Sequence, residues 1–263
     1  MADSVAALPM YDWPELVPAL DARWEEVRDR LRAVGIPAPA KLARCNADLP
    51  PVPGGIRGAD GRLIAPDPAT LPGGEFDLPT LWRHPRLLLA QTCWGPLKAG
   101  LQADVQLLLQ PDYSAYAGGQ GEFYSSAIVM RDGGQGAAPG VAHLPLDRLR
   151  GARFAFNSRD SRSGYLSLRH DLEVLGESLG IFPETFETGG HRASIRAVAE
   201  GRADVAVIDC RSWHLALRHE PAAPKLTVVG WTAMRLGLPF IISRHTPRPV
   251  ADMVRAAIAG CFD

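Results

Sequence analysis

The segment Asn157-Ser158-Arg159-Asp160-Ser161-Arg162-Ser163-Gly164-Tyr165 holds the densest set of groups that could do chemistry. It lies between an apolar strand-like run, Arg153 to Phe156, and a helix face marked by Tyr165, Leu168, Leu172, Leu175 and Leu179. Such a turn falls at the carboxyl end of a strand, where the first helical N–H groups are unpaired and the dipole favours negative charge. Ser161 and Ser163 can donate hydroxyls there, and Gly164 lets an anion approach the backbone. The same serines could equally cap the helix with no ligand at all. The GxxxxGK[ST] pattern of a phosphate-binding P-loop is missing, and no cofactor motif replaces it.

Glu187-Thr188-Gly189-Gly190-His191-Arg192-Ala193-Ser194 is a second strand-to-helix turn of the same kind, with His191 at the first helical turn. Asp209 ends the apolar run Ala203 to Ile208, and ligands of open α/β sheets bind beyond the carboxyl ends of strands. Capping or surface exposure is the plain alternative for that aspartate. In the first half, Gln91-Thr92-Cys93-Trp94-Gly95-Pro96 repeats the arrangement with Thr92 as cap and donor, and Tyr11 follows the first strand at the equivalent edge. Ser163, His191 and Asp209 can be written as a catalytic triad. The GxSxG elbow that would expose a nucleophile is absent, and a capping serine turns its lone pairs to the backbone. No catalytic residue is therefore assigned.

The elements that must hold these turns alternate. Strands are expected at Val5–Met10, Arg86–Ala90, Asp104–Leu109, Ser125–Met130, Arg153–Phe156, Ala203–Asp209, Leu226–Val229 and Pro239–Ile242. Helices are expected from Asp12-Trp13-Pro14 to Gly35, from Tyr165 to Leu179, from His191 to Glu200 and from Val250 to Ala259. Leu49 to Gly74 reads as loop, as does the glycine-rich Asp132 to Gly140. This grammar predicts an α/β fold with a largely parallel sheet. The 263 residues are 46% hydrophobic and 22% charged, enough to bury one large or two small cores. A net charge of −1 offers no basic field for nucleic acid, so any anion specificity must be local. No apolar run is long enough to insert in a membrane. The four cysteines show no CxxC pair or zinc spacing, and Cys93 and Cys210 are expected as packing residues. Met1 to Val5 lacks a basic leader and an apolar h-region, which predicts a cytoplasmic protein, or a periplasmic one if a leader has been removed.

The pieces Asn157 to Tyr165, Gly190-His191-Arg192-Ala193-Ser194 and Gly201-Arg202-Ala203-Asp204-Val205-Ala206-Val207-Ile208-Asp209 resemble the phosphate/phosphonate-binding (PhnD-like) components of ABC importers, in that family's order. Leu8-Pro9-Met10-Tyr11 and Gln91-Thr92-Cys93 look like its first lobe. The resemblance implies a type II periplasmic-binding-protein fold, with a mostly parallel sheet in each lobe and two crossover strands. Lobe 1 would combine residues 1–122 with 228–263, and lobe 2 would be 123–227. It further implies a solute-binding protein that closes by a hinge around a small anionic or zwitterionic ligand and hands it to an ABC permease. The anion site carried over falls on Asn157, Ser161, Ser163, Gly164 and Tyr165, with Tyr11 and Thr92 from the other lobe and His191 and Asp209 at the rim. Arg162 inside the serine turn would favour a highly charged or planar anion, and Cys93-Trp94 would crowd Thr92. A cytoplasmic enzyme of the same fold, acting on a small carboxylate or phosphate-bearing metabolite, is the alternative, and a binding module for a signalling partner is a third reading.

Overall fold

In the computed structural model, which describes residues 4–131, 134 and 136–262, the elements follow one another as alternating strands and helices. The first are β1 (Val5–Ala7), α1 (Val17–Ala33), β2 (Leu87–Gln91), α2 (Trp94–Lys98) and β3 (Val105–Leu107). Then come β4 (Ser126–Arg131), β5 (Arg153–Phe156), α3 (Tyr165–Val174), β6 (Glu184–Glu187), α4 (His191–Ala199), β7 (Val205–Asp209) and α5 (Cys210–His219). The chain closes with β8 (Leu226–Trp231), β9 (Phe240–Ser243) and α6 (Arg248–Ile258). The fold is two-lobed α/β: one compact unit comprises residues 1–111 and 238–263, the other 112–237.

The first unit carries a four-stranded sheet in the order β1-β2-β9-β3. β1 and β2 run parallel, while β9 runs antiparallel to both of its neighbours. The returning chain supplies β9, so the sheet is mixed rather than wholly parallel. Trp24, Val27 and Leu31 recur at the three- and four-residue steps of α1 and are fully buried against Leu89, Ile242 and Val254. Burying each of the three is worth about 1.5–3 kcal/mol. The expected loop from Leu49 to Gly74 contains a small hairpin, Ile56–Arg57 with Leu63–Ala65, too short to leave a periodic trace.

The second unit is built on a five-stranded sheet, β6-β5-β7-β4-β8. β6, β5 and β7 are parallel, and β4 pairs antiparallel with β7 and β8. Phe154, Phe156, Val205, Val207 and Ile128 pack against Leu168 and Leu172 of α3, which seats that helix on one face of the sheet. α3 stops at Val174 rather than Leu179: Gly176 adopts φ +75°, a left-handed conformation that ends the helix cheaply. β6 and α5 are additions to the expected elements. Of the expected glycine-rich loop, Asp132, Gly133 and Gln135 lie outside the described residues, as do Met1 to Asp3 and Asp263.

Two ion-pair systems fix the ends of these elements. Arg192 Nε donates to Glu220 Oε2 at 2.7 Å and Arg196 Nε to the same oxygen at 2.9 Å, anchoring the first turns of α4 to the end of α5. Arg153 Nε donates to Asp204 Oδ2 at 2.9 Å, tying the start of β5 to the turn that feeds β7. Its guanidinium holds the Asp204 carboxyl down at about 2. The starts of β5 and β7, and α4 with the end of α5, are thereby tied together.

Candidate functional site

Five of the sequence-predicted side chains converge in the second unit, where β5, β7, α3 and α4 meet. Asn157 follows β5, and its Nδ2 donates to Ser161 Oγ at 2.8 Å. Gly164 N donates to the same oxygen at 3.2 Å, and Ser163 Oγ lies 3.2 Å away. His191, the first residue of α4, places Nε2 at 2.9 Å from Ser163 Oγ and 3.2 Å from Asp209 Oδ2. Asn157 Nδ2 stands 3.5 Å from the same ring nitrogen. Ser161, Ser163 and Asp209 are buried.

The protons of this cluster can be assigned. Ser161 Oγ already accepts two N–H groups, so its own proton goes to Ser163 Oγ. A carboxylate only accepts, so His191 Nε2 carries a proton toward Asp209, and Nδ1 is the ring's bare acceptor. Ser163 Oγ then accepts from Ser161 and leans on the His191 N–H, which leaves its own proton for a ligand. His191 Nδ1 and Asn157 Oδ1 are buried with no partner among the described residues. A Cβ at Gly164 would collide with Asn157 Oδ1, so a larger residue there would displace the Asn157 side chain from the cluster.

Two expectations change. The serines do not cap α3: its N-cap is Gly164, with no side-chain cap bond. Asp209 does act as a cap, accepting Ser212 N at 2.9 Å at the start of α5, and it faces His191 with its other oxygen. The triad is not formed, because Ser163 and Asp209 meet the same ring nitrogen rather than opposite ones.

The remaining candidates sort as follows. Tyr165 opens α3, but its ring stacks on Phe156 at 4.7 Å and Arg159 reaches its hydroxyl at 3.3 Å. In the second turn only His191 joins the cluster, since Thr188 Oγ1 and Ser194 Oγ bond each other at 2.7 Å. Arg162 lines a cavity of about 550 Å3 with Leu144, His170, Asp171, Met234 and Arg235, which none of the five clustered side chains lines. In the first unit Tyr11 and Thr92 are both buried. The N-cap of α2 is Cys93 rather than Thr92, and Thr92 Oγ1 is buried with no partner among the described residues. Cys210 is buried, and burial pushes its thiol well above the ordinary range, as suits a packing residue. Sequence reasoning passed over Ser126, whose backbone pairs with Asp209 across β4 and β7. No group of three or more His, Cys, Asp or Glu among the described residues could hold a metal ion, and no helix among them is long and apolar enough to cross a membrane.

Burial depresses the pKa of His191, outweighing the pull of Asp209 in the other direction. Burial likewise depresses His84, whose Nδ1 accepts Arg86 N–H at 3.2 Å and whose Nε2 faces Pro50 O at 3.0 Å. Unfolded histidine takes up its proton near pH 6.5, whereas these folded rings do so only at lower pH. The unfolded state therefore binds more protons in that window, and stability falls as pH drops below about 6.5. Melting temperatures of ligand-free protein from pH 7.5 to 5.5 should show this loss, and His191→Gln should flatten part of the slope. An unchanged slope in that variant would mean that the His191 ring takes up its proton as readily in the fold as in the unfolded chain.

A family model described as ABC transporter, phosphonate, periplasmic substrate-binding protein matches residues 95–261. No curated protein sequence matches the chain. Among solved structures, PhnD1 from Prochlorococcus marinus in complex with methylphosphonate is similar at 16% identity and a TM-score of 0.63, covering 98% of this chain and 84% of that one. A Xanthomonas citri protein bound to ATP follows at 15% identity and 0.59, over 98% and 82%. A binding component of a Pseudomonas aeruginosa ABC phosphonate transporter reaches 16% and 0.58, over 97% and 74%. At such identities the structural likeness shows the fold alone, whereas the family match runs from α2 past the end of α6. The protein belongs to the phosphonate substrate-binding family of ABC transporters, solute-binding proteins of type II periplasmic-binding-protein fold rather than enzymes.

Proposed function

We propose that this solute-binding protein takes a small phosphorus oxyanion, phosphate or a phosphonate, at the serine turn of its second unit, and delivers it to an ABC permease. The observation that carries the reading is the set of unmet buried polar atoms. In the second unit, Asn157 Oδ1 and His191 Nδ1 lack partners among the described residues, and both belong to strand-to-helix turns picked out for anion binding. An unpaired buried polar atom costs about 1–3 kcal/mol, so such atoms gather where a ligand completes them. Ser163 offers a proton, and the uncapped start of α3 offers its dipole.

Charge narrows the ligand further. Asp209 and His191 Nδ1 accept rather than donate, and a carboxylate repels a fully ionised anion. The ligand must bring a proton or an amine to that side, as a monoprotonated phosphate or an amino-substituted phosphonate does.

A thermal-shift series tests this. An anion at 100 times its Kd stabilises the fold by about 2.7 kcal/mol. That raises the melting temperature of a chain this size by about 5–10 °C. Phosphate, methylphosphonate and 2-aminoethylphosphonate should move the transition, and methanesulfonate and acetate should not. A series in which no phosphorus oxyanion moves it removes the reading.

A further inference from the structure

Ser126 begins β4 and pairs in register with Asp209 on β7. Directly opposed residues of antiparallel strands point to the same face, with Cβ atoms about 4.5–5.5 Å apart. Along this face the pairs run Val205 with Met130, Val207 with Ile128, then Asp209 with Ser126. Val205, Val207 and Ile128 pack on Leu168 and Leu172 of α3, so Asp209 and Ser126 end the row on the side that α3 covers. The Ser126 backbone is clamped on its other side: its N–H donates to Thr232 Oγ1 at 2.9 Å, and its carbonyl accepts Thr232 N–H at 3.0 Å.

Ser126 is 1% exposed, and its hydroxyl, by contrast, is buried with no partner among the described residues. The adjacent serine differs. Ser125 Oγ donates to Gly118 O at 2.9 Å and so has a structural task. An apolar residue would fill the Ser126 position without leaving a buried hydroxyl unmet. Rigid backbone, burial, an unmet hydroxyl and a carboxylate directly opposite are what a preorganised ligand contact requires.

We propose that Ser126 is a ligand-binding residue of the site, donating its hydroxyl to an oxyanion oxygen on the side that faces Asp209. This rests on the oxyanion reading above. It adds a chemical class: Ser126 supplies a donor and Asp209 an acceptor side by side, a pair that suits adjacent unprotonated and protonated oxygens of one phosphate or phosphonate group.

Ser126→Ala tests it, with Ser125→Ala as control and with inorganic phosphate and methylphosphonate as probes. Ligand-free Ser126→Ala should melt at or above the wild-type temperature, because it removes an unmet buried group. Calorimetric titration should show its affinity for both probes falling about tenfold or more. Ser125→Ala should lose melting temperature and keep its affinity. Wild-type affinity in Ser126→Ala overturns the assignment while the oxyanion site stands. A melting temperature that falls in step with affinity also overturns it, since the hydroxyl then serves packing. Wild-type protein that binds neither probe overturns both readings.

Discussion

Asp209→Asn changes which ligands the protein accepts while leaving the helix it caps in place. Asparagine caps as well as aspartate, so the bond to Ser212 N at the start of α5 survives. What disappears is the charge beside His191. A charge-assisted hydrogen bond is worth about 1.5–3 kcal/mol, so 2-aminoethylphosphonate and monoprotonated phosphate should weaken about ten- to a hundredfold. Fully ionised anions such as methanesulfonate or sulfate, which Asp209 repels in the wild type, should be spared or bound better. Calorimetric titration of both ligand types against the variant separates the outcomes. Unchanged affinity for 2-aminoethylphosphonate and monoprotonated phosphate would make Asp209 a purely structural cap and end the argument for a proton- or amine-bearing ligand.

The serine turn is readable from the residues themselves. Arg153 to Phe156 is apolar, α3 has a helical stripe, and between them polar side chains and a glycine crowd into one short connection. Local chemistry of this kind survives in sequence because neighbours in the chain are neighbours in space. The convergence of His191 and Asp209 on Ser163 is different, since their bonds join residues far apart in the chain. Only the resemblance to a known family brought the three together, while their residue types also spelled a triad that the geometry dissolves. Ser126 left no signal, because a serine at the head of an apolar strand looks like an ordinary strand start until the register with β7 is known.

The fold shows the same division. Long periodic segments such as α1 and buried runs such as Leu87–Gln91 and Val205–Asp209 fall where the pattern puts them. β6 does not, because it is an edge strand with all four residues exposed and no alternation to detect. Parallel and antiparallel neighbours also read alike. The antiparallel placement of β4 and β9 follows from where the chain crosses and returns rather than from any local preference.

The central claim is that Ser163 donates to a bound oxyanion rather than serving the fold. Its hydroxyl proton is the one left over after Ser161 and His191 are accounted for, and it does not cap α3. Removing it should cost the anion a charge-assisted hydrogen bond, about 1.5–3 kcal/mol, or about ten- to a hundredfold in affinity. The loss should be shared by phosphate, methylphosphonate and 2-aminoethylphosphonate, because every oxyanion uses the same donor. The stability of the empty protein should change little, since the bonds of the side chain to Ser161 Oγ and His191 Nε2 lie within the cluster and cap no helix. The deciding measurement is calorimetric titration of wild type and Ser163→Ala with methylphosphonate, beside their ligand-free melting temperatures. A ten- to hundredfold loss of affinity at nearly constant melting temperature is the predicted result. A lower melting temperature with affinity intact would contradict it, and the proposed anion site would fall with the serine.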